Sequence, residues 1–297
     1  MDDDKRTLAL VGPGRAGTTI AIALNAQGWR VTGVAGRAPD APSTLTTAAC
    51  LDAPPTLLSG IGYGAHLVVV ATPDAAIEPV ATACVASLEE DALVIHLAGS
   101  RGLEVFDALR AARTDIRVGA LHPLQSFPST SAGLERLAGS YAAIAGDPEV
   151  EEIATDLELR TFRVDDAVRA QYHAAAVVAS NHIVALLGQV ERMAQAADVP
   201  FEAFAPLVLA SVENAFRLRP ERALTGPVAR GDLATVRSHL ETLDPGERDA
   251  YRALAREAAR LAGRRDNALD RLLEDLRQVG PDPGSPGSEP PDATALD

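Results

Sequence analysis

Residues 8–17 read Leu-Ala-Leu-Val-Gly-Pro-Gly-Arg-Ala-Gly, so four apolar residues run directly into Gly-x-Gly-x-x-Gly. From Thr18 to Ala26 the chain then carries a helical apolar face. No other stretch restricts the fold as strongly, because strand, glycine turn and helix in that order open a βαβ unit. Each glycine answers a separate steric need. Gly12 permits the tight turn, Gly14 lets the backbone approach a pyrophosphate, and Gly17 lets helix and strand pack closely. The segment Pro13, Arg15 and Ala16 completes the turn, and the N–H groups of the helix start face negative charge on a ligand. A glycine turn by itself is consistent with a purely structural role. The strand before it, the helix after it and a second strand at the right distance favour a dinucleotide site.

The second strand, Arg30 to Ala35, bears on which dinucleotide is bound. It is followed by Gly36 and Arg37, where an NAD-binding protein places an acid for the ribose hydroxyls. No Asp or Glu occurs between Asp4 and Asp40. Arg37 instead offers a planar cation suited to a 2′-phosphate, which favours NADP(H) over NAD(H). The alternative is that Arg37 is a solvated loop residue.

Composition excludes several classes. A net charge of −14 over 297 residues argues against nucleic acid and against an anionic membrane surface as partners, while leaving room for a local basic site. Cys50 and Cys84 are too few and too isolated for a disulfide framework or a metal site. The start, Met1 to Lys5, is acidic and lacks the apolar core of a signal peptide. No apolar run reads as a membrane span, since the longest, Ala174 to Gly188, is interrupted by Ser180, Asn181 and His182. A cytoplasmic protein is expected. Lys5 is the only lysine, so a mechanism needing a buried catalytic lysine is excluded.

Further strands are expected at His66–Ala71, Ala92–Leu97, Ile116–Leu121 and Tyr141–Ala145, with a loop over 38–55. Helices are expected over 75–88, 103–112 and 148–159. This alternation predicts an α/β fold, with a doubly wound N-terminal Rossmann domain over residues 6–165. From Asp166 the pattern is helical only, with Asp165 and Asp166 as N-cap and helices over 167–197, 201–216, 233–243, 247–262 and 267–279. An all-helical C-terminal domain over 166–279 follows, and the Pro/Gly/Ser-rich tail 280–297 is expected to be disordered.

Ligands of an open α/β sheet lie beyond the carboxyl ends of its strands. Ala71, Thr72 and Pro73 then stand beside the cofactor, or form a plain β–α turn. His122 ends another strand, where it could exchange a proton during carbonyl or imine reduction, or be hydrogen-bonded within a His-Pro turn. On an ideal helix Arg169, His173, Ala176 and Ser180 share one face with Asn181 on its flank. Such a stripe lines a cleft, or forms an inter-helix cluster or dimer seam. In the loop 224–232 Arg230 could bind a carboxylate with its forked donors, although composition slightly favours pairing with Asp232 or with nothing.

Taken together, residues 12–17, Leu121-His122-Pro123-Leu124-Gln125-Ser126-Phe127, Tyr172-His173-Ala174-Ala175-Ala176 with Ser180-Asn181-His182, and residues 224–232 resemble one bacterial family. It is the Rossmann-like protein with a C-terminal domain of unknown function 2520, and the resemblance covers about residues 6 to 278. It implies a 6-phosphogluconate-dehydrogenase-like fold, a homodimer through the helical domain, and kinship with pyrroline-5-carboxylate reductase, prephenate dehydrogenase and ketopantoate reductase. In β-hydroxyacid dehydrogenases and ketopantoate reductases a Lys and an Asn stand one turn apart. Here Arg169 and His173 have that spacing, and Arg169 cannot give up a proton. A proton role passes to His173 or His122, and His122-Pro123 resembles the His-Pro of prephenate dehydrogenases. The family often has Ser at the position of Ala98, so a serine role here would move to Ser100 or be absent.

The combined expectation is an NADP(H)-dependent oxidoreductase reducing a small carboxylate-bearing ketone or imine, with a ketopantoate-like 2-oxo acid as first candidate. His122, His173, Asn181 and Arg169 are the expected catalytic group. Ser100, Gln125, Ser180 and Arg230 are the expected substrate contacts, with no metal. The alternatives are a non-catalytic NADP(H)-binding sensor or scaffold, and an oxidative decarboxylase like prephenate dehydrogenase.

Overall fold

The computed structural model describes residues 6–264 and 267–275. Residues 1–5 and the tail 280–297 lie outside the described residues. The strand Thr7–Val11 (β1) is wholly buried, as a run of apolar residues covered on both faces must be. It pairs in parallel with Arg30–Ala35 (β2) and Leu67–Val70 (β3). Leu93–His96 (β4) and Arg117–Pro123 (β5) continue the parallel sheet. Tyr141–Gly146 (β6) then runs antiparallel to β5, and Arg160–Arg163 (β7) parallel to β6. The order is β2-β1-β3-β4-β5-β6-β7.

Alternate residues of each strand feed two cores. Leu8 and Leu10 of β1 pack on one side with Ile20, Leu24 and Trp29. Ala9 and Val11 pack on the other with Val68, Val70, Ile77 and Phe106. Helices therefore cover both faces: Arg15–Ala26 (α1), Pro42–Cys50 (α2), Ile77–Cys84 (α3), Asp107–Ala112 (α4), Thr130–Leu137 (α5) and Glu149–Asp156 (α6). At the amino end of the sheet His66, Arg117, Asp147 and Glu149 form an ion network, with Glu149 2.8 Å from His66 and 2.7 Å from Arg117.

Several expectations are corrected. The loop over 38–55 contains α2, whose Pro42 occupies the first turn, where its missing N–H costs nothing. α5, capped by Ser129 through a 3.2 Å bond from Ala132 N–H, and the charged strand β7 were not anticipated.

From Asp166 the chain is helical, and Asp165 caps the first turn through Ala167 N–H at 2.8 Å. The helix Arg169–Val177 (α7) passes through a π turn at Val178–His182 into Ile183–Ala196 (α8). The expectation of an ideal helix here is thus corrected: the π turn inserts extra backbone and rotates everything after Val177 off the stripe. By length and composition the stretch Asp166–Ala196 could cross a membrane. Its central Ser180-Asn181-His182 makes it a poor one. The chain divides into two compact units, Met1–Ile183 and Val184–Asp297, so the division falls within this helix. The second unit contains Ala205–Leu218 (α9), Pro220–Ala223 (α10), Pro227–Arg230 (α11), Leu233–Thr242 (α12), Pro245–Leu261 (α13) and Asn267–Asp275 (α14). Val236, Leu240, Ala255, Ala259, Leu269, Leu272 and Leu273 make its core.

Candidate functional site

The glycine turn is built as its steric logic requires. Gly12 has φ +91°, and a Cβ there would stand 2.6 Å from the Ala71 carbonyl oxygen. A Cβ on Gly17 would strike the Ala71 side chain, so α1 lies directly on the end of β3. Gly14 is different: a Cβ on it would meet nothing within 4 Å. It precedes an α1 that has no side-chain cap and no acid in its first turn. The first N–H groups of α1 are therefore left to a ligand. Arg15 bonds the Pro128 carbonyl at 3.2 Å, joining α1 to the loop after β5.

The turn after β2 supports the same reading. Pro13 and Thr44 close on Gly36, where no Cβ would fit beside the Thr44 hydroxyl. That hydroxyl is enclosed and has no hydrogen-bond partner among the described residues. Arg37 is exposed and makes no ion pair among the described residues. An orphaned hydroxyl and a free guanidinium at this turn fit a phosphorylated ribose. At the end of β3 the Thr72 hydroxyl is likewise enclosed without a partner among the described residues, and Pro73 leads into the turn Asp74–Ala76.

Two imidazoles meet at the carboxyl ends of β4 and β5. His122, next to last in β5, and His173 of α7 lie 6.0 Å apart between ring centroids. Between them is the backbone of Gly99, where a Cβ would stand 2.7 Å from His122 Nε2 and 2.8 Å from His173 Cδ2. The Tyr172 hydroxyl is 2.7 Å from His122 Nδ1, with the two rings edge to face. Phe162 of β7 packs on Tyr172 from the other side. His122 Nε2 and both nitrogens of His173 make no hydrogen bond among the described residues.

Burial holds His122 down at about 4, aided by the positive potential of His173, Arg169 and His96 and opposed by Asp74. His122 is thus neutral near pH 7. Burial pushes the Tyr172 phenol up to about 12, with Arg169 pulling the other way. His96, fully buried at the end of β4, is also held at about 4 by burial. It accepts from Ala98 N–H at 3.2 Å, so its Nε2–H donates to the Gly102 carbonyl at 3.1 Å. His96 is a strut for the loop that carries Gly99.

Other expected residues take different positions. Arg169 is buried, its Nε 2.9 Å from Asp166 and its Nη2 3.3 Å from the Val164 carbonyl. Only Nη1 is without a partner. Ser100 donates to Asp74, tying the loop after β4 to the turn after β3. Gln125 is committed to its own loop, bonding the Arg136 carbonyl and Ser126 N–H. Ser180 and Asn181 are exposed in the π turn, where the Ser180 hydroxyl is 2.7 Å from the Ala176 carbonyl and 2.9 Å from Asn181 Oδ1. Arg230 ends α11 in the second unit. Asp232 is taken up in capping α12 through Thr235, and Arg230 forms no ion pair among the described residues. The structure therefore joins His122, His173 and Arg169 with Tyr172 and Gly99, which sequence reasoning passed over. A glycine just beyond a strand end, as at Gly99, was the signal available.

Residues 140–258 match a family described as a domain of unknown function, DUF2520. A protein from Bacteroides fragilis assigned as an NADP oxidoreductase is 26% identical and covers 86% of this chain and 99% of its own, with a TM-score of 0.74. A pyrroline-5-carboxylate reductase from Coxiella burnetii shares the fold at 16% identity and a TM-score of 0.56, covering 92% of this chain and 98% of its own. So does a reductive aminase from Aspergillus terreus, solved with NADPH and ethyl-5-oxohexanoate, at 14% identity and a TM-score of 0.55, covering 91% and 92%. A comparison with curated proteins finds no match.

Proposed function

We propose that this chain is an NADP(H)-dependent oxidoreductase that reduces a small carboxylate-bearing ketone or imine, with 2-oxo acids as the first candidates. The observation that carries the reading is the convergence of His122 and His173 on the bare backbone of Gly99. It lies at the carboxyl ends of strands whose sheet begins with the Gly12–Gly17 turn. The Bacteroides fragilis protein, with its NADP oxidoreductase assignment, supports the same class.

In this reading Gly12, Gly14 and the first turn of α1 hold the pyrophosphate, while Arg37 and Thr44 hold the 2′-phosphate and its ribose. The reduced nicotinamide supplies hydride when bound. The chain's own part is to orient the substrate and to manage the proton. Arg169, four residues before His173 on α7, adds a fixed positive charge to the potential felt by His122, which favours an anionic substrate over a cationic one. Its burial and its bonds to Asp166 and Val164 suit it to that field and not to direct proton transfer.

The test is purified full-length protein with NADPH against a panel of 2-oxo acids and carboxylated cyclic imines. Turnover above blank supports the reading. Saturable NADPH binding without turnover across the panel would point to a sensor or scaffold instead.

A homodimer through the helical region is part of the proposal. α9 exposes Leu209 at 70% and Phe216 at 87%, and α8 exposes Val184 at 69%. Leu209 and Phe216, seven residues apart, share one face of α9, and large apolar side chains so exposed are typical of an interface.

A further inference from the structure

We propose that Tyr172 and His122 form a relay that delivers a proton to a carbonyl oxygen, and that the site is therefore built for ketones, not imines. The inference rests on the reductase reading above and narrows its substrate class.

The geometry gives Tyr172 a single partner. Its hydroxyl lies 2.7 Å from His122 Nδ1 and has no other hydrogen bond among the described residues. An imidazole sp² nitrogen is a better acceptor than a phenol oxygen, and a phenol is the better donor. The hydroxyl therefore donates to Nδ1, and the proton of the neutral ring sits on Nε2. Phe162 and the edge-on His122 ring hold the phenol in that direction. Nε2–H lies beside Gly99, where the absence of a side chain leaves the backbone thin. His173 has no comparable hydrogen bond to orient its ring, so delivery is assigned to His122.

The step balances as follows. With a reduced nicotinamide held at the Gly12–Gly17 turn as hydride source, hydride addition to the carbonyl carbon would move the π pair of the C=O bond onto oxygen. That oxygen takes the proton from His122 Nε2. His122 Nδ1 takes the proton of Tyr172, so the imidazole stays neutral in its other tautomer. The phenolate then recovers a proton from water. Arg169, whose charge draws the phenol toward ionisation, stabilises that transient anion. Tyr172 acts through His122 and does not itself touch the substrate.

This relay fits one acceptor. An alkoxide is a stronger base than a phenolate, so the transfer runs downhill. An imine must be protonated before it accepts hydride, and neither a neutral imidazole nor a phenol is acid enough to do that near neutral pH. Burial leaves His122 uncharged, with His173 and Arg169 from α7 and His96 from β4 acting in the same direction and Asp74 from the turn after β3 against it. The resident positive charge of Arg169 would also repel an iminium.

The test has two arms on the full-length protein. In the first, ¹⁵N-histidine NMR at neutral pH is recorded for the wild type and Tyr172→Phe, with no substrate present. The expected result is an unprotonated, hydrogen-bonded Nδ1 on His122 whose resonance moves in the variant, while NADPH affinity is unchanged. A protonated Nδ1 in the wild type overturns the relay. In the second, 2-oxo acids and carboxylated cyclic imines are compared with NADPH. The expected result is turnover of the oxo acids only, with kcat lowered on the order of 10²-fold in Tyr172→Phe and KM little changed. Faster reduction of the imines, or an unaffected kcat, overturns it. Turnover of neither class removes the reductase reading and the substrate claim with it. The NMR arm still decides the Tyr172–His122 bond by itself, so the two failures are told apart.

Discussion

Gly99→Ala is the sharpest perturbation of the site, because its effect follows from three distances. The added methyl would stand 2.6 Å from His122 Cε1, 2.7 Å from His122 Nε2 and 2.8 Å from His173 Cδ2. Ordinary carbon contacts begin near 3.5 Å, so the two imidazoles together must retreat by about 1 Å. Gly99 is not in the left-handed region, so alanine adds no backbone strain. Overpacking costs about 1–3 kcal/mol at a close-packed position, and rotatable side chains place this site toward the lower end. A misplacement of about 1 Å at the reacting groups costs roughly 10²-fold in rate. NADPH affinity should hold, since Gly12–Gly17 is untouched. The assays are steady-state NADPH oxidation, a fluorescence titration with NADPH and a thermal melt. Adding His173→Ala should relieve part of the clash, so the double variant should lose less activity than the two single losses combined. A Gly99→Ala enzyme with wild-type kcat would refute the placement of the reacting atoms between these rings.

Arg37→Gln should weaken NADPH by about 10- to 100-fold, the worth of one or two charge-assisted hydrogen bonds, and leave NADH unchanged. Fluorescence titration with both coenzymes checks it, and equal losses for the two would remove Arg37 from the 2′-phosphate. Phe216→Glu combined with Leu209→Glu should convert a dimer to a monomer in sedimentation velocity, while an unchanged coefficient would place the interface elsewhere. Glu149 is held at about 2, first by its hydrogen bond to His66 and then by Arg117, against a usual value of 4.5. A depressed carboxylate stabilises fully above 4.5 and loses its contribution as pH falls toward 2. The wild type should therefore lose on the order of 1–2 kcal/mol more than Glu149→Gln over that range in urea unfolding.

What could be read from the chain was what local sterics and burial force. The Gly12–Gly17 turn has one workable geometry, and runs such as Leu67–Val70 have no polar face to expose. The cap at Asp165 was legible because a short acid before a helix has few other uses. Where the outcome depends on a competition between weak preferences, the reading failed. Pro42 breaks a helix interior and starts a helix equally well, and Arg160–Arg163 becomes a strand only because β6 lies beside it. The site was partly legible for the same reason. His122 was found from its place at a strand end. Tyr172 was not, because its role rests on a bond from its hydroxyl to His122 on a distant strand, which no local pattern announces. The π turn then moved Ser180 and Asn181 out of register, and no pattern of side chains announces an inserted backbone residue.

Burial, reinforced by Arg169, makes free-histidine chemistry a poor guide to His122. A lysine four residues before His173 could itself surrender a proton, and the imidazoles would then be auxiliary. An arginine there cannot, so it contributes only charge. Burial keeps both His96 and His122 unprotonated, and that charge adds to the effect while drawing the phenol toward ionisation. The strand-end histidine can then serve only as a neutral conduit, and a conduit needs a source on its far side. Of the groups bonded to His122, Tyr172 alone has a proton to give. Replacing Arg169 with methionine should therefore raise the His122 titration by a small part of its displacement, since burial and His173 remain, and NMR would show it. A His122 that stayed equally low in that variant would mean that the guanidinium has no part in setting its state.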